Sequence, residues 1–444
     1  MVLKSRPVPE SVPLARDRGG WSSPDQKQPQ LTVNNFPTKV RMKPLQSRHM
    51  FAVLTLAVAA GAHAQTTLPP VDVRDAPTAG GTTNLNEVSN TASRLGVPVR
   101  DIPASVEIID RQTIEDRGKR STLEVLESGT GFTVGSPGGS PGVASVRGFT
   151  GNGVRYLIDG VSAGSAAMVA RPGDSFNLDR VEILRGPASV LYGEGAIGAA
   201  VNFATRQPSR GTDPVDVLVG WGNLSSRRIG LGSGRAIAPN AWFRVDVSAS
   251  ENKTQQIGNT QDTFRATGSL LVDVTPRLSA TIAFDHSRDQ QDDAYWGTPL
   301  GQGVIDNRIR RTNYNNLNDN RFRSANTWMR ANVAWRATDS LTLRNFTYYF
   351  DSYRDWRNAE TYGFNPTAGT VTRTSFGDLD HRQSLVGNRT EGLVVADFGR
   401  VKNRFSLGFD WNHTALTMFS RNAVPASAGA YANRGTVAHS SRPA

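Results

Sequence analysis

Inside VEILRGPASVLYGEGAIGAAVNFATRQP, Val181 to Pro208, the glycines Gly193, Gly195 and Gly198 spell G-x-G-x-x-G. That spacing cradles a pyrophosphate when a strand runs straight into the glycines and a helix opens on them. Here the strand-like VEIL ends nine residues before Gly193, with Gly186 and Pro187 between. After Gly198, AAVNFATRQP contains the β-formers Val201 and Phe203 and stops at Pro208, so no helix fits. Asp213 and Asp216 stand about where a ribose-binding acid would, but beyond Pro208 and Gly211. The context excludes a dinucleotide turn and leaves the glycines to tight turns and close packing. Other catalytic chemistry fares no better. The histidines His49, His63, His286, His381, His413 and His439 have no metal-ligand spacing, and no Gly-x-Ser-x-Gly elbow occurs. Asp292 and Asp293 are adjacent in a polar stretch that suits solvent better than acid–base work. With no cysteine there is no thiolate metal site, disulfide or thiol nucleophile. No enzyme, cofactor or metal site is expected.

The elements that carry these residues follow from length and patterning. The chain has 444 residues, 38% of them hydrophobic, and a mean hydropathy of −0.40, too polar for a bundle of membrane helices. One apolar run, Met50 to Ala64, is 15 residues long, short of the roughly 20 a spanning helix needs. Lys43, Arg48 and His49 precede it and Ala-His-Ala ends it. Residues 42–64 therefore read as a secretory signal peptide cleaved after Ala64. Residues 1–41 are rich in Pro and charge without hydrophobic period; they read as a disordered extension, with translation starting at Met42. The net charge of +11 includes +6 from residues 1–49, where nine Lys or Arg face three Asp or Glu. The remaining +5 is dispersed, with no basic helix, so nucleic acid is not an expected partner.

Residues 65–96 form a flexible leader containing one short extended segment, Val71 to Asp75. Residues 97–208 read as a small α+β domain. Its elements are a strand at Ser105 to Ile109, a helix capped near Asp110, a second helix in STLEVLESGTG, and short glycine-separated strands in GVASVRGF, GVRYLIDGV and DRVEILRG. From Asp213 the texture changes to strict alternation. Phe243, Val245, Val247 and Ala249 stand against Arg244, Asp246 and Ser248, and Met329, Ala331, Val333 and Trp335 against Arg330, Asn332 and Arg336. Similar runs recur at Phe264 to Val272, Leu278 to Phe284 and Phe405 to Trp411. Alternation over about 9–11 residues marks transmembrane β-strands, apolar to lipid and polar to lumen. Short turns at VTPRLS and ATDSL alternate with long loops at Ser287 to Asn326 and Asp351 to Ser384. Residues 209–420 thus read as a partial antiparallel β-barrel, and residues 421–444 as an irregular tail. The fold class is mainly β, with a small α+β domain followed by antiparallel transmembrane barrel strands.

At these motifs the chain resembles the TonB-dependent outer-membrane receptors of the ferric-siderophore type. RVEILRGPASVLYGEGAIGAAVNFATRQP is similar to the run that closes their plug domain. SVRGF (Ser145 to Phe149), YLIDGV (Tyr156 to Val161) and RDIPASVEIIDRQTIED (Arg100 to Asp116) match other plug motifs in the family's order. The resemblance implies a plug filling a barrel of about 22 strands, with ferric siderophore bound above it. It also implies a TonB box near the N-terminus through which the periplasmic protein TonB applies inner-membrane energy. The box candidate is Pro70, Val71, Asp72, Val73, Arg74 and Asp75, extended enough to add a strand to a partner sheet. A plain linker is the other reading of that segment. The leader is too short for the signalling domain some relatives carry. Arg147 and Arg185 match arginines that, in the family, pair with barrel glutamates and hold the plug; satisfying local carbonyls is the alternative. Gly148, Gly160, Gly186, Gly193 and Gly198 are the structural glycines of the plug motifs.

Substrate-binding candidates are Tyr295, Trp296, Arg310, Arg311, Tyr353 and Trp356, with Arg308, Tyr314, Arg354, Tyr362 and Phe364 near them in sequence. Aromatics and arginines suit an anionic or catecholate iron chelate by stacking and charge, although aromatic girdles produce the same composition without a ligand. The loop Gly135 to Gly142 is expected at the plug apex. The family pattern fails in strand number. Eight to ten strands fit between Asp213 and Ser420, against about 22 in the family. The expectation is a receptor cut off midway, with two open edges and no stable insertion. Haem, cobalamin or another metal chelate is the alternative cargo, and an exported adhesive β protein the alternative class.

Overall fold

The computed structural model describes residues 85–89, 91–135, 143–164, 173–192, 196–253, 259–292, 298, 300–307, 309, 321–399, 401–420 and 436–438. The expected extension, signal peptide and TonB box lie outside the described residues. So do Gly193, Gly195, Tyr295, Trp296, Arg308, Arg310, Arg311 and Tyr314, and the loop 136–142.

The α+β domain starts with strand β1 (Ser105–Asp110) and a helix, Arg111–Asp116, whose N-cap Asp110 accepts a hydrogen bond from the Thr113 amide at 2.7 Å. Ser121 caps the next helix, Thr122–Glu127, in the same way. Strands β2 (Phe132–Gly135) and β3 (Val143–Val146) form a separate hairpin. Strands β4 (Val154–Ile158), β5 (Val161–Ser162), β6 (Leu178–Arg185) and β7 (Ala199–Thr205) join β1 in a sheet of order β1-β6-β7-β4-β5. Only β4 and β7 pair in parallel. One face packs Ile109, Val125, Leu126, Val181, Ile183 and Val201 into the domain core. The G-x-G-x-x-G run leads into β7, not into a helix. At Gly198 a Cβ would come within 2.5 Å of the Phe149 Cβ, so close packing is what that glycine permits.

The second sheet begins at β8 (Asp213–Trp221) and continues through β9 (Arg227–Ala238), β10 (Ala241–Lys253), β11 (Thr260–Thr275) and β12 (Leu278–Asp292). A small hairpin, β13 (Leu300–Gly301) and β14 (Val304–Ile305), intervenes. Then come β15 (Arg321–Arg336), β16 (Leu341–Asn365), β17 (Thr370–Phe398) and β18 (Val401–Ser420). Every pairing in this sheet is antiparallel, and among the described residues it is open at β8 and β18.

The side chains are inverted relative to a soluble sheet. On β15 Met329 and Trp335 are exposed while Trp328 and Arg330 are buried; on β10 Val245 is 46% exposed while Arg244 and Asp246 are 4% and 1% exposed. The charged face turns towards the α+β domain and the apolar face away from it, the partition a lipid-facing barrel wall requires.

Three expectations need correction. The stretch Asp351 to Ser384 is no loop, because β16 and β17 pair across it almost to Asn365↔Thr370. At about 3.3 Å per residue, strands of 25 and 29 residues far exceed the ~25 Å apolar band. Beyond that band no lipid demands an apolar side chain at every second position, and the alternation that marks a membrane strand fades. Ser287 to Asn326 is likewise shortened from both ends by β12 and β15. Finally, Thr436–Ala438 of the expected irregular tail forms β19 on Thr370 to Thr372, where the long β17 offers a free edge.

Candidate functional site

The site is the seam between the α+β domain and the charged face of the large sheet. Its centre is the tip of the β4–β5 hairpin. Asp159 and Gly160 both have positive φ, +48° and +80°, the two-residue turn that Asp-Gly favours and that matches strand twist. The turn aims the Asp159 carboxylate at the sheet, where it pairs with Arg330 of β15. Asp159 also accepts from the Thr205 amide at 2.7 Å and the Thr205 hydroxyl at 2.8 Å, while Arg330 Nη2 donates to that hydroxyl at 3.2 Å. Arg389 Nη1 donates to the Gly160 carbonyl at 2.9 Å, and Gln383 Nε2 to the Ala163 carbonyl at 2.9 Å.

Two more latches flank the tip. Arg228 of β9 grips Asp174 bidentately at 2.8 and 2.6 Å. Arg206, at the end of β7, meets Asp216 and Asp246, which Arg244 also holds. The charged sheet face is therefore neutralised largely by the α+β domain and by its own strands. Beside these latches a smaller apolar contact packs Val161 and Ala163 against Trp328, Tyr348, Phe350 and Leu385.

A strap of chain enters the seam from the N-terminal side. The leader is expected to be flexible through residue 96, yet Ser89, Thr91 and Ala92 are buried. The buried Glu182 carboxylate accepts from Ser89 Oγ at 2.8 Å and the Thr91 amide at 3.1 Å, and Arg180 Nε donates to it at 2.7 Å. Tyr192 donates its hydroxyl to the Thr91 carbonyl at 2.7 Å, and burial pushes its phenol up to about 12. Arg94 then reaches Glu391 of β17 at 3.4 Å. A buried carboxylate that needs donors is the physical reason the strap is ordered; nothing in the strap's own composition announces it.

The structure distributes the expected site residues unevenly. Arg185 pairs with Glu107 inside the α+β domain, not with a glutamate of the large sheet. Arg147 is exposed at a second two-residue turn, with φ +50° followed by Gly148 at +83°, and makes no ion pair among the described residues. Two of the charged latches, Arg330–Asp159 and Arg228–Asp174, run the other way, with arginine on the sheet and aspartate on the inserted domain, whereas Arg206 and Arg94 reach carboxylates of the sheet. Gly186 at φ +95° joins Gly148 and Gly160 in a conformation that favours glycine. Trp356 lies on the same face of β16 as Phe350, with the Arg354 guanidinium 4.9 Å over its ring and Phe322 edge-on at 6.3 Å. Tyr353, an odd number of residues away, projects from the opposite face beside Arg382. The two are not brought together. Missed altogether were Asp159, Asp174, Arg228, Arg330 and Arg389. Their signal was present, since arginines on the polar face of a barrel strand need carboxylates from whatever fills the lumen.

A domain latched by ion pairs to the charged face of an apolar-backed sheet defines the plugged-barrel class. Residues 98–200 match the TonB-dependent Receptor Plug Domain family, and beyond them the chain is similar in sequence and fold to TonB-dependent receptors. It is 36% identical over 163 residues to the vitamin B12 transporter BtuB of Vibrio vulnificus, covering 35% of this chain and 26% of that one. It is 23% identical over 351 residues to the probable TonB-dependent siderophore receptor PiuA of Acinetobacter baumannii, covering 75% and 46%. The crystal structure of that siderophore receptor superposes with a TM-score of 0.67 at 21% identity, over 76% of this chain and 49% of that one. Pyoverdine-bound FpvA of P. aeruginosa superposes with a TM-score of 0.68 at 18% identity, over 75% and 45%. The chain spans about half the length of these relatives, or less.

Proposed function

We propose that this chain contributes the plug and part of the barrel of an outer-membrane receptor that takes up ferric siderophores, energised through TonB. The observation that carries this reading is the seam. The plug is held to the lumen wall mainly by Arg–Asp pairs and single hydrogen bonds, with one small apolar cluster beside them. Such contacts can be broken and remade as a plug shifts. Pro70 to Asp75 is the segment on which TonB would pull, and the strap from Ser89 to Arg94 holds the first buried residues, among those described, that a pull would reach. Trp356 and Arg354, both buried, stack as an aromatic and cationic pair of the kind that suits an anionic iron chelate. Arg147 is free to meet a carboxylate of the remaining barrel wall, whereas Arg185 acts within the plug.

The cargo is assigned from the relatives' names together with that surface. Cobalamin is the second reading, favoured by the higher identity, over 163 residues, to a vitamin B12 transporter. The chain folded in detergent should bind ferric catecholate or hydroxamate chelates, with quenching of tryptophan fluorescence that Trp356→Phe reduces. Binding of cyanocobalamin in place of the chelates would shift the assignment. In cells, energised uptake should vanish when Pro70 to Asp75 is deleted while surface binding persists. Uptake that survives the deletion would defeat the TonB reading.

A further inference from the structure

Between the plug and strands β12, β15, β16 and β17 lies a cavity of about 490 Å³. It sits towards the short-turn end of the sheet. Thr281 in its wall is three residues past the start of β12, and Arg344 three past the start of β16. Its plug wall is net negative, with Arg180 shared between Asp179 and Glu182 at 2.9 and 2.7 Å.

The sheet wall is not. It carries Arg330, Arg344 and Arg389 against a single carboxylate, Glu391. Arg330 is answered by Asp159 of the plug. Glu391 is divided between Arg389 at 3.1 Å and the plug's own Arg94 at 3.4 Å. Arg344 stands directly across the β16–β17 ladder from Glu391, yet makes no ion pair among the described residues. Three arginines thus converge on one glutamate. Phe346 lines the same wall, and the Arg389 guanidinium lies 5.5 Å over its ring.

We infer that this cavity is a binding site for a multiply charged oxyanion, held by Arg344 and Arg389 over the ring of Phe346. Guanidinium groups match carboxylate and phosphate oxygens in paired hydrogen bonds. The volume falls within the roughly 300–1,000 Å³ of ordinary ligand pockets, enough for an ion the size of citrate. The ligand class is a polycarboxylate or a phosphate. Its role rests on the transport reading, in which the site receives the carboxylates of a cargo after it has passed the plug; binding itself does not depend on that reading.

The test is calorimetric titration of the full chain in detergent with citrate, with inorganic phosphate, and with sucrose as a neutral control, at low and high salt. Saturable citrate or phosphate binding that weakens with salt is expected, and sucrose should not bind. Citrate without phosphate would mark a polycarboxylate site; comparable binding of both would mark a general oxyanion site. Arg344→Gln should weaken binding by about tenfold or more, with partial recovery in Arg344→Lys. Arg336→Gln, at an exposed arginine outside the cavity, should leave it unchanged, and circular dichroism checks that each variant is folded. Absence of binding by both anions, or equal binding by folded Arg344→Gln, overturns the inference. Loss of citrate binding with chelate binding intact removes this site alone. Loss of chelate uptake with citrate binding intact removes the transport reading and leaves the cavity an anion site.

Discussion

Asp159 shows how much one side chain can do when its backbone is fixed first. The Asp-Gly turn sets its direction, Thr205 occupies its spare lone pairs, and Arg330 supplies the counter-charge. Removing the charge strands a buried guanidinium, which costs about 3–5 kcal/mol in a sealed interior. Arg330 borders an open cavity, so the lower end is expected. Asp159→Asn keeps the turn, since asparagine tolerates positive φ. It should destabilise the folded chain by about 3 kcal/mol in denaturant titration, and Arg330→Met in the same chain should recover most of that loss. Equal loss in the single and double variants would show that the pair does not hold the seam. Two phenols report on the plug interior. Burial pushes Tyr156 and Tyr192 from 10 up to about 12. Below pH 10 these phenols are neutral in both folded and unfolded chain, so their contribution is fully present. Between 10 and 12 the unfolded chain gives up protons that the folded plug keeps, and stability is lost as pH rises through the folded value. Alkaline difference absorbance should therefore show one fewer late-titrating tyrosine in Tyr156→Phe than in the unaltered chain.

The strap is an element whose order comes from outside itself. Its sequence, SNTASR, has no period and no strong propensity, and reads as leader. What binds it is Glu182, a carboxylate 1% exposed whose donors come from Ser89, Thr91 and Arg180. Glu182→Gln would leave that site with weaker acceptors and a competing donor, so amide protection at Ala92 to Leu95 should fall by about tenfold in hydrogen exchange, equivalent to ~1.4 kcal/mol. Unchanged protection would mean that burial of Ala92 alone seats the strap. The same contrast explains what was legible elsewhere. The capped helices at Asp110 and Ser121 and the alternating strands of the large sheet carry their signals locally, although β12, β15 and β18 run several residues beyond the alternating stretches. The far halves of β16 and β17 lack that regular alternation, because a strand that has left the membrane needs no continuous apolar face; Trp356, Phe364 and Val371 are buried there singly or in a small cluster. Arg185 was placed against the barrel by resemblance, while its actual partner, Glu107, faces it across the β1–β6 ladder two residues out of register. No spacing rule in a single sequence identifies that neighbour.

For the molecule as a whole, the decisive feature is that apolar side chains lie outside and charged ones inside. Ile282 on β12 is 64% exposed, whereas its neighbours Ala283 and Asp285 are buried towards the plug. In a protein bathed by water on that face, Ile282→Arg would be close to neutral, because an exposed arginine costs little. In a bilayer the outcome differs. Ile282 lies four residues past the start of β12, about 13 Å along the strand, near the middle of an apolar band ~25 Å tall. An arginine there should cost about 2–4 kcal/mol, and the same change at Val274, close to the short turn, about 0–1 kcal/mol. Folding equilibria in lipid vesicles, read by tryptophan fluorescence, would resolve that depth dependence. Near-equal, small effects at both positions would place the apolar face against something other than lipid. The membrane reading of the alternation would then fall, even with the plug and its latches intact. A depth-dependent penalty would instead tie the period of two in the sequence, the inverted burial in the fold and the ion-paired seam to one cause: strands with lipid on one side must keep their charges on the other, where only the plug and neighbouring strands can neutralise them.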